Sequence, residues 1–133
     1  MAKEKVICDT DVLIDYFDEK NSRHVETIKI LEKNIILDNV MLSSISKMEL
    51  ILGATNKADL HRINRDIERL NITLINYEIN EHAIFLLQKY SLSHGLSLPD
   101  SLIAATSIVT GFELFTYNVK DYKFIDKIRL YKF

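Results

Sequence analysis

Four segments of the chain place oxygen donors where a divalent cation could use them. "VICDTDVLIDYF" (6–17) carries Asp9, Asp11 and Asp15 at and beyond the end of an apolar run. "SSISKMELILG" (43–53) carries Glu49, "HGLSLPDSLIAATS" (94–107) carries Asp100, and "LFTYNVKDY" (114–122) carries Asn118 and Asp121. A carboxylate at the end of a buried strand is unfavourable unless donors or a cation meet it. Carboxylates gathered without a cation raise one another's pKa values. Mg2+ or Mn2+ would offset that repulsion, and either suits a donor set of carboxylates, amide and water that lacks Cys and His.

Taken singly, each position has a structural explanation. Asp9 or Asp11 caps a short helix at 12–17, and Asp15 lies on its solvated face. "SKME" (46–49) and "SLPD" (97–100) match the capping box, and Asn118 and Asp121 suit a turn after a strand. Helix N-termini also favour ionised carboxylates, the form a metal ligand needs. The joint pattern points to a site, because every position follows a strand or opens a helix.

The elements that must position these groups are legible as short apolar runs at 5–10, 40–45, 72–77, 112–117 and, more weakly, 127–133, which predict strands. Helical patterns lie between them. Residues 57–71 set Leu60, Ile63, Ile67 and Leu70 on a stripe opposite Arg62, Arg65 and Arg69. Residues 79–95 and 100–111 each stop at a glycine, and the second is apolar or small nearly all round. Strands alternating with helices predict an α/β fold whose parallel sheet is covered on both faces. Ligands of such sheets gather beyond the carboxyl ends of the strands, where Asp9 falls.

The 133 residues, 47% hydrophobic with three glycines, one proline and no repeat, predict a single domain over 1–133. A net charge of −2 excludes a global basic field, so nucleic acid would need a local patch. Residues 119–133 offer one, net +3, with Lys120, Lys123, Lys127, Arg129 and Lys132 beside Tyr122, Phe124 and Tyr131; lysines guarding an edge strand read equally well. The arginine face of 57–71 is a second candidate. One cysteine, no leader and no apolar run near the ~20 residues a bilayer requires predict a cytoplasmic protein without a membrane partner. His24, His61, His82 and His94 lack zinc spacing, and Cys8, Met41 and Met48 are read as packing.

In order and spacing the four segments resemble the PIN domain, most closely the VapC-type toxin ribonucleases of toxin–antitoxin pairs. The resemblance implies a three-layer α/β/α sandwich with a central parallel sheet of four to five strands. It further implies an endoribonuclease that needs Mg2+ or Mn2+, acts on RNA, forms a homodimer and is restrained by a small VapB-like antitoxin. The family's first three acidic ligands carry over onto Asp9, Glu49 and Asp100. The fourth is Asn118, where many members have Asp, or Asp121 three residues on. Asp11 stands where relatives often carry Asn, and Ser46 where they often carry Thr. "DTDVL" (9–13) also resembles the haloacid-dehalogenase-type phosphatases, in which Asp9 would be a nucleophile and Asp11 an acid/base, but that reading leaves Glu49 and 99–107 unused. A PIN-like scaffold that binds without cutting is the other alternative.

Overall fold

The computed structural model describes residues 4–133. Four short strands, β1 (Val6–Cys8), β2 (Val40–Ser43), β3 (Asn71–Thr73) and β4 (Glu113–Phe115), form one sheet in the order β3-β2-β1-β4, with every pair parallel. Helices α1 (Thr10–Phe17), α2 (His24–Lys29), α3 (Ser44–Leu52), α4 (Lys57–Ile67), α5 (Tyr77–His94) and α6 (Leu98–Thr110) fill the crossovers.

The period-two geometry of a strand divides the core into two layers. Val6, Cys8, Val40, Leu42 and Phe115 pack with Val12, Leu13 and Tyr16 of α1 and Ile63 and Ile67 of α4. Ile7, Met41 and Leu114 point the other way, onto Ile79, Ala83 and Leu86 of α5 and Ile103 to Ala105 of α6. This is the expected three-layer sandwich. Helix α6 can lie buried because Ser101, Thr106 and Ser107 return their hydroxyl protons to carbonyls at Leu98, Leu102 and Phe112 (2.6–2.7 Å). Gly95 and Gly111 end α5 and α6 at φ 69° and 77°, the left-handed turn predicted for both.

Three local expectations are corrected. The strand at 127–133 shrinks to one bridge, Leu114 to Leu130, because Lys127 at φ 70° breaks the extended run before it. The capping box at 46–49 does not form: β2 delivers Ser43 as the cap of α3, its hydroxyl accepting from Ile45 N at 3.2 Å, so Ser46 lies buried inside the helix. Met48, expected to pack inside, is 52% exposed on that helix.

A six-residue π-helical turn, Ile30–Ile35, follows α2 and leads to Ile36 at φ 79°, ψ 129°. A β-branched residue there costs about 1–3 kcal/mol, and Ile36 is 43% exposed, so its side chain returns little in exchange. Ile36→Gly is expected to stabilise the protein by about 1 kcal/mol, read as a higher midpoint in urea with an unchanged slope.

Candidate metal centre

Strand β1 lies between β2 and β4, so the crossovers leave it in opposite directions, and the gap beyond the carboxyl ends of β1 and β4 is the switch point of the sheet. Asp9 stands there, 6% exposed, as the N-cap of α1. Its Oδ1 accepts from Thr10 N at 2.8 Å and its Oδ2 from the Thr116 hydroxyl at 2.8 Å. The Thr116 hydroxyl accepts in turn from Asn118 N at 3.0 Å, so the turn after β4 is fastened to the aspartate of β1.

The other acidic positions converge from different elements. In α3, Glu49 Oε1 accepts from the Thr10 hydroxyl at 2.7 Å, and Ser46 Oγ lies 3.0 Å from the same hydroxyl. In the first turn of α6, Asp100 accepts from the Tyr122 hydroxyl at 3.0 Å while its backbone N–H is capped by Ser97 Oγ at 3.2 Å. Asp121 belongs to a 3-10 turn at Val119–Asp121 and lines one cleft together with Asp100. Asn118 is exposed at the start of that turn.

The carboxylates act on one another electrostatically. Burial first, and then the charges of Asp11 and Asp100, push Asp9 up to about 7 against the hydrogen bonds from Thr116 and Thr10. Asp100 is raised by burial, with Asp121 and Glu49 adding to it. Among the described residues no three His, Cys, Asp or Glu side chains close into a ready-made ligand cage. Like charges hold such groups apart, and an oxygen-bound Mg2+ keeps several of its waters, so a closed protein cage is not what that ion requires. The donor set fits a hard divalent cation: carboxylates and an amide, with neither sulfur nor imidazole among them.

Asp11 has a different role. Its Oδ1 accepts from Val12 N at 2.7 Å and its Oδ2 from Tyr117 N at 3.1 Å, so both oxygens are engaged in joining α1 to the exit of β4. That disposes of the acid/base role the phosphatase reading gave it.

A PIN domain profile matches residues 6–127. The chain belongs to the PIN domain family.

Solved structures of similar fold include a toxin–antitoxin complex from Klebsiella pneumoniae, 31% identical, TM-score 0.75, covering 97% of this chain and 100% of that one. VapBC2 from Rickettsia felis, bound to a DNA fragment from its promoter, is 20% identical with a TM-score of 0.76 over 96% of this chain and 98% of its own. The sarcin-ricin loop cleaving toxin VapC20 of Mycobacterium tuberculosis is 14% identical, TM-score 0.67, over 94% and 99%. The last two show the fold alone. No curated protein matched the chain.

In this PIN domain several residues to which the sequence alone assigned no supporting role at the site hold the acidic edge. Thr10 holds Glu49, Ser46 Oγ lies against the same Thr10 hydroxyl, and Thr116 holds Asp9. Tyr122, read as part of an exposed basic and aromatic strip, is 1% exposed, and its hydroxyl is the donor to Asp100. Burial and the neighbouring Asp9 and Asp100 push that phenol upward, so it stays protonated as a donor. Arg23 lies 4.3 Å over the Tyr117 ring and is the one cation among the principal influences on Asp11. The arginine stripe of α4 is partly neutralised, with Arg62 paired to Asp59 at 2.6 Å and Asp66 at 3.5 Å.

The Thr116 contact is testable. Thr116→Val keeps the shape of the side chain but removes the donor to Asp9, and partners of this kind typically carry 10–100-fold in metal affinity or activity. Titration with Mn2+ should show a Kd weaker by about that factor, with the fold retained by circular dichroism.

Proposed function

We propose that this PIN domain is a Mg2+- or Mn2+-dependent endoribonuclease, the toxin member of a VapBC-type pair. The observation that supports it most directly is the convergence of Asp9, Glu49, Asp100 and Asp121 from β1, α3, α6 and the turn after β4 at the switch point. Asp9, Glu49 and Asp100 would hold the cation, directly or through water, with Asp121 or Asn118 completing the set. When bound, such a cation lowers the pKa of water and neutralises charge on a phosphodiester.

The chain's own residues do the positioning. Thr116 and the Thr10 backbone fix the Asp9 carboxylate, Thr10 fixes Glu49, and Tyr122 keeps one oxygen of Asp100 engaged so that the other is presented in a defined direction. Burial keeps bulk water from Asp9. No side chain is required as a nucleophile, and the products carry 5′-phosphate and 3′-hydroxyl ends.

The partner reading follows the 31% identical Klebsiella structure, which is a toxin–antitoxin complex: a small VapB-like antitoxin restrains this chain. The homodimer follows the family resemblance, and the cytoplasmic setting the single cysteine. No helix among the described residues is long and apolar enough to cross a membrane. Purified protein incubated with total cellular RNA and Mn2+, Mg2+ or EDTA tests the activity. Cleavage that requires the metal is the expected result; cleavage undiminished in EDTA would sink the reading.

A further inference from the structure

At the Asp100 end of the acidic edge, His94, Asp100, Lys120, Asp121 and Phe124 line a cleft of about 260 Å3. That is somewhat below the ~300–1,000 Å3 that encloses a whole drug-sized ligand, and it offers room for a small part of a longer one. His94 and Phe124 are the ring-bearing residues of its lining. The His94 and Phe124 rings stack with centroids 4.2 Å apart and planes 14° apart. Tyr90 holds both edge-on, at 5.7 Å from His94 and 5.2 Å from Phe124. The Tyr90 hydroxyl accepts from Asp126 N at 3.1 Å, and His94 Nδ1 lies 2.7 Å from Ser93 Oγ.

His94 is exposed, yet its ring is fixed on both neighbours. Helix α5 ends beside it at Gly95, where a Cβ would meet nothing within 4 Å, so the chain leaves the space next to the ring open. The charges choose the occupant. Without a bound cation, Asp100 and Asp121 disfavour an anion inside the cleft, whereas the His94 and Phe124 rings favour a flat heterocycle. Lys120 adds an ammonium to the lining, suited to a phosphate held outside the carboxylates.

We propose that this cleft is a base-stacking subsite for one unpaired nucleotide of single-stranded RNA, the base resting on the His94–Phe124 pair and Lys120 meeting the backbone. The placement of that nucleotide beside the bond to be cut rests on the nuclease reading above; the binding itself does not. Because every base has a π-face, the subsite selects single strands rather than a particular base.

The test uses the full chain in EDTA with a short fluorescein-labelled oligoadenylate, read by anisotropy, and then steady-state cleavage of the same strand with Mn2+. His94→Leu should weaken binding about tenfold, the equivalent of ~1.4 kcal/mol. His94→Phe should restore it to within about twofold, since it keeps the ring and loses the imidazole. With Mn2+, KM should rise in His94→Leu while kcat holds, and affinity for a blunt RNA duplex should not change between variants. Wild-type affinity in His94→Leu would overturn the subsite, as would His94→Phe behaving like the leucine variant. Binding lost in His94→Leu, with no metal-dependent cleavage by the wild type, would overturn the nuclease reading and leave the subsite standing. Cleavage by both with equal KM would overturn the subsite alone.

Discussion

Asp9→Asn is expected to abolish RNA cleavage, by a thousandfold or more, and at the same time to make the metal-free protein more stable near neutral pH. The loss follows from removing a charged oxygen from the cation site, where ~4 kcal/mol of transition-state charge stabilisation corresponds to about a thousandfold in rate. The gain follows from burial. Asp9 is raised from 3.8 to about 7, so the folded state holds its proton more tightly than the unfolded state does. The stability this contributes is complete below about pH 4 and is lost as the pH climbs through about 7. At 1.36 kcal/mol per tenfold, the interval between those values bounds the cost of the ionised form at about 4 kcal/mol. Asparagine keeps an oxygen for Thr10 N and turns its amide toward the Thr116 hydroxyl, so the cap survives without the charge. Melting curves in EDTA from pH 4 to 8 should fall more steeply for the wild type than for the variant, in which Asp11 and Asp100 are still raised by burial; a variant less stable than wild type at pH 8 would count against this account.

The second large effect is the reverse side of that repulsion. Mn2+ or Mg2+ should raise the melting temperature of the wild type at pH 7.5, because a ligand bound only by the folded state stabilises it by mass action. A hundredfold excess over Kd gives ~2.7 kcal/mol, which for a chain of this size is roughly 10 °C. Binding should also release protons, since Asp9 near neutral pH is partly protonated until the cation arrives. Asp100→Asn should lose most of the shift. Calorimetry in two buffers of different ionisation enthalpy would measure the proton count, and zero release at pH 7 would contradict the position assigned to Asp9.

Much of this site is legible in the one-dimensional chain for physical reasons. Asp9 is conspicuous because a charge directly after Val6 to Cys8 is costly, and Gly95 and Gly111 are legible because only glycine takes φ near 70° without strain. Other features are invisible to local patterns. Ser46 and Glu49 have the spacing of a capping box, but the end of β2 sets where α3 begins, three residues earlier. Tyr122 sits in a run of lysines, and its burial is decided by α6, which is adjacent only after folding. Arg23 lies between two short helices with no periodicity to mark it, and its contact with Tyr117 joins positions far apart in sequence.

The hydrogen bond between Asp9 and Thr116 spans 107 residues, and β1 lies between β2 and β4 in the sheet. A central strand closed by a partner so distant makes folding wait on a long loop, which slows it. Until the ribosome has added residues 113–121, the nascent chain carries Asp9, Glu49 and Asp100 but lacks the complete β4 and the turn that fastens them. At ~5–20 residues per second, synthesis of the stretch from Asp100 to Asp121 takes about a second or more. For the nuclease proposed here the consequence is temporal: the chain is inert toward RNA until β4 and the turn at Val119–Asp121 have been made and have joined β1.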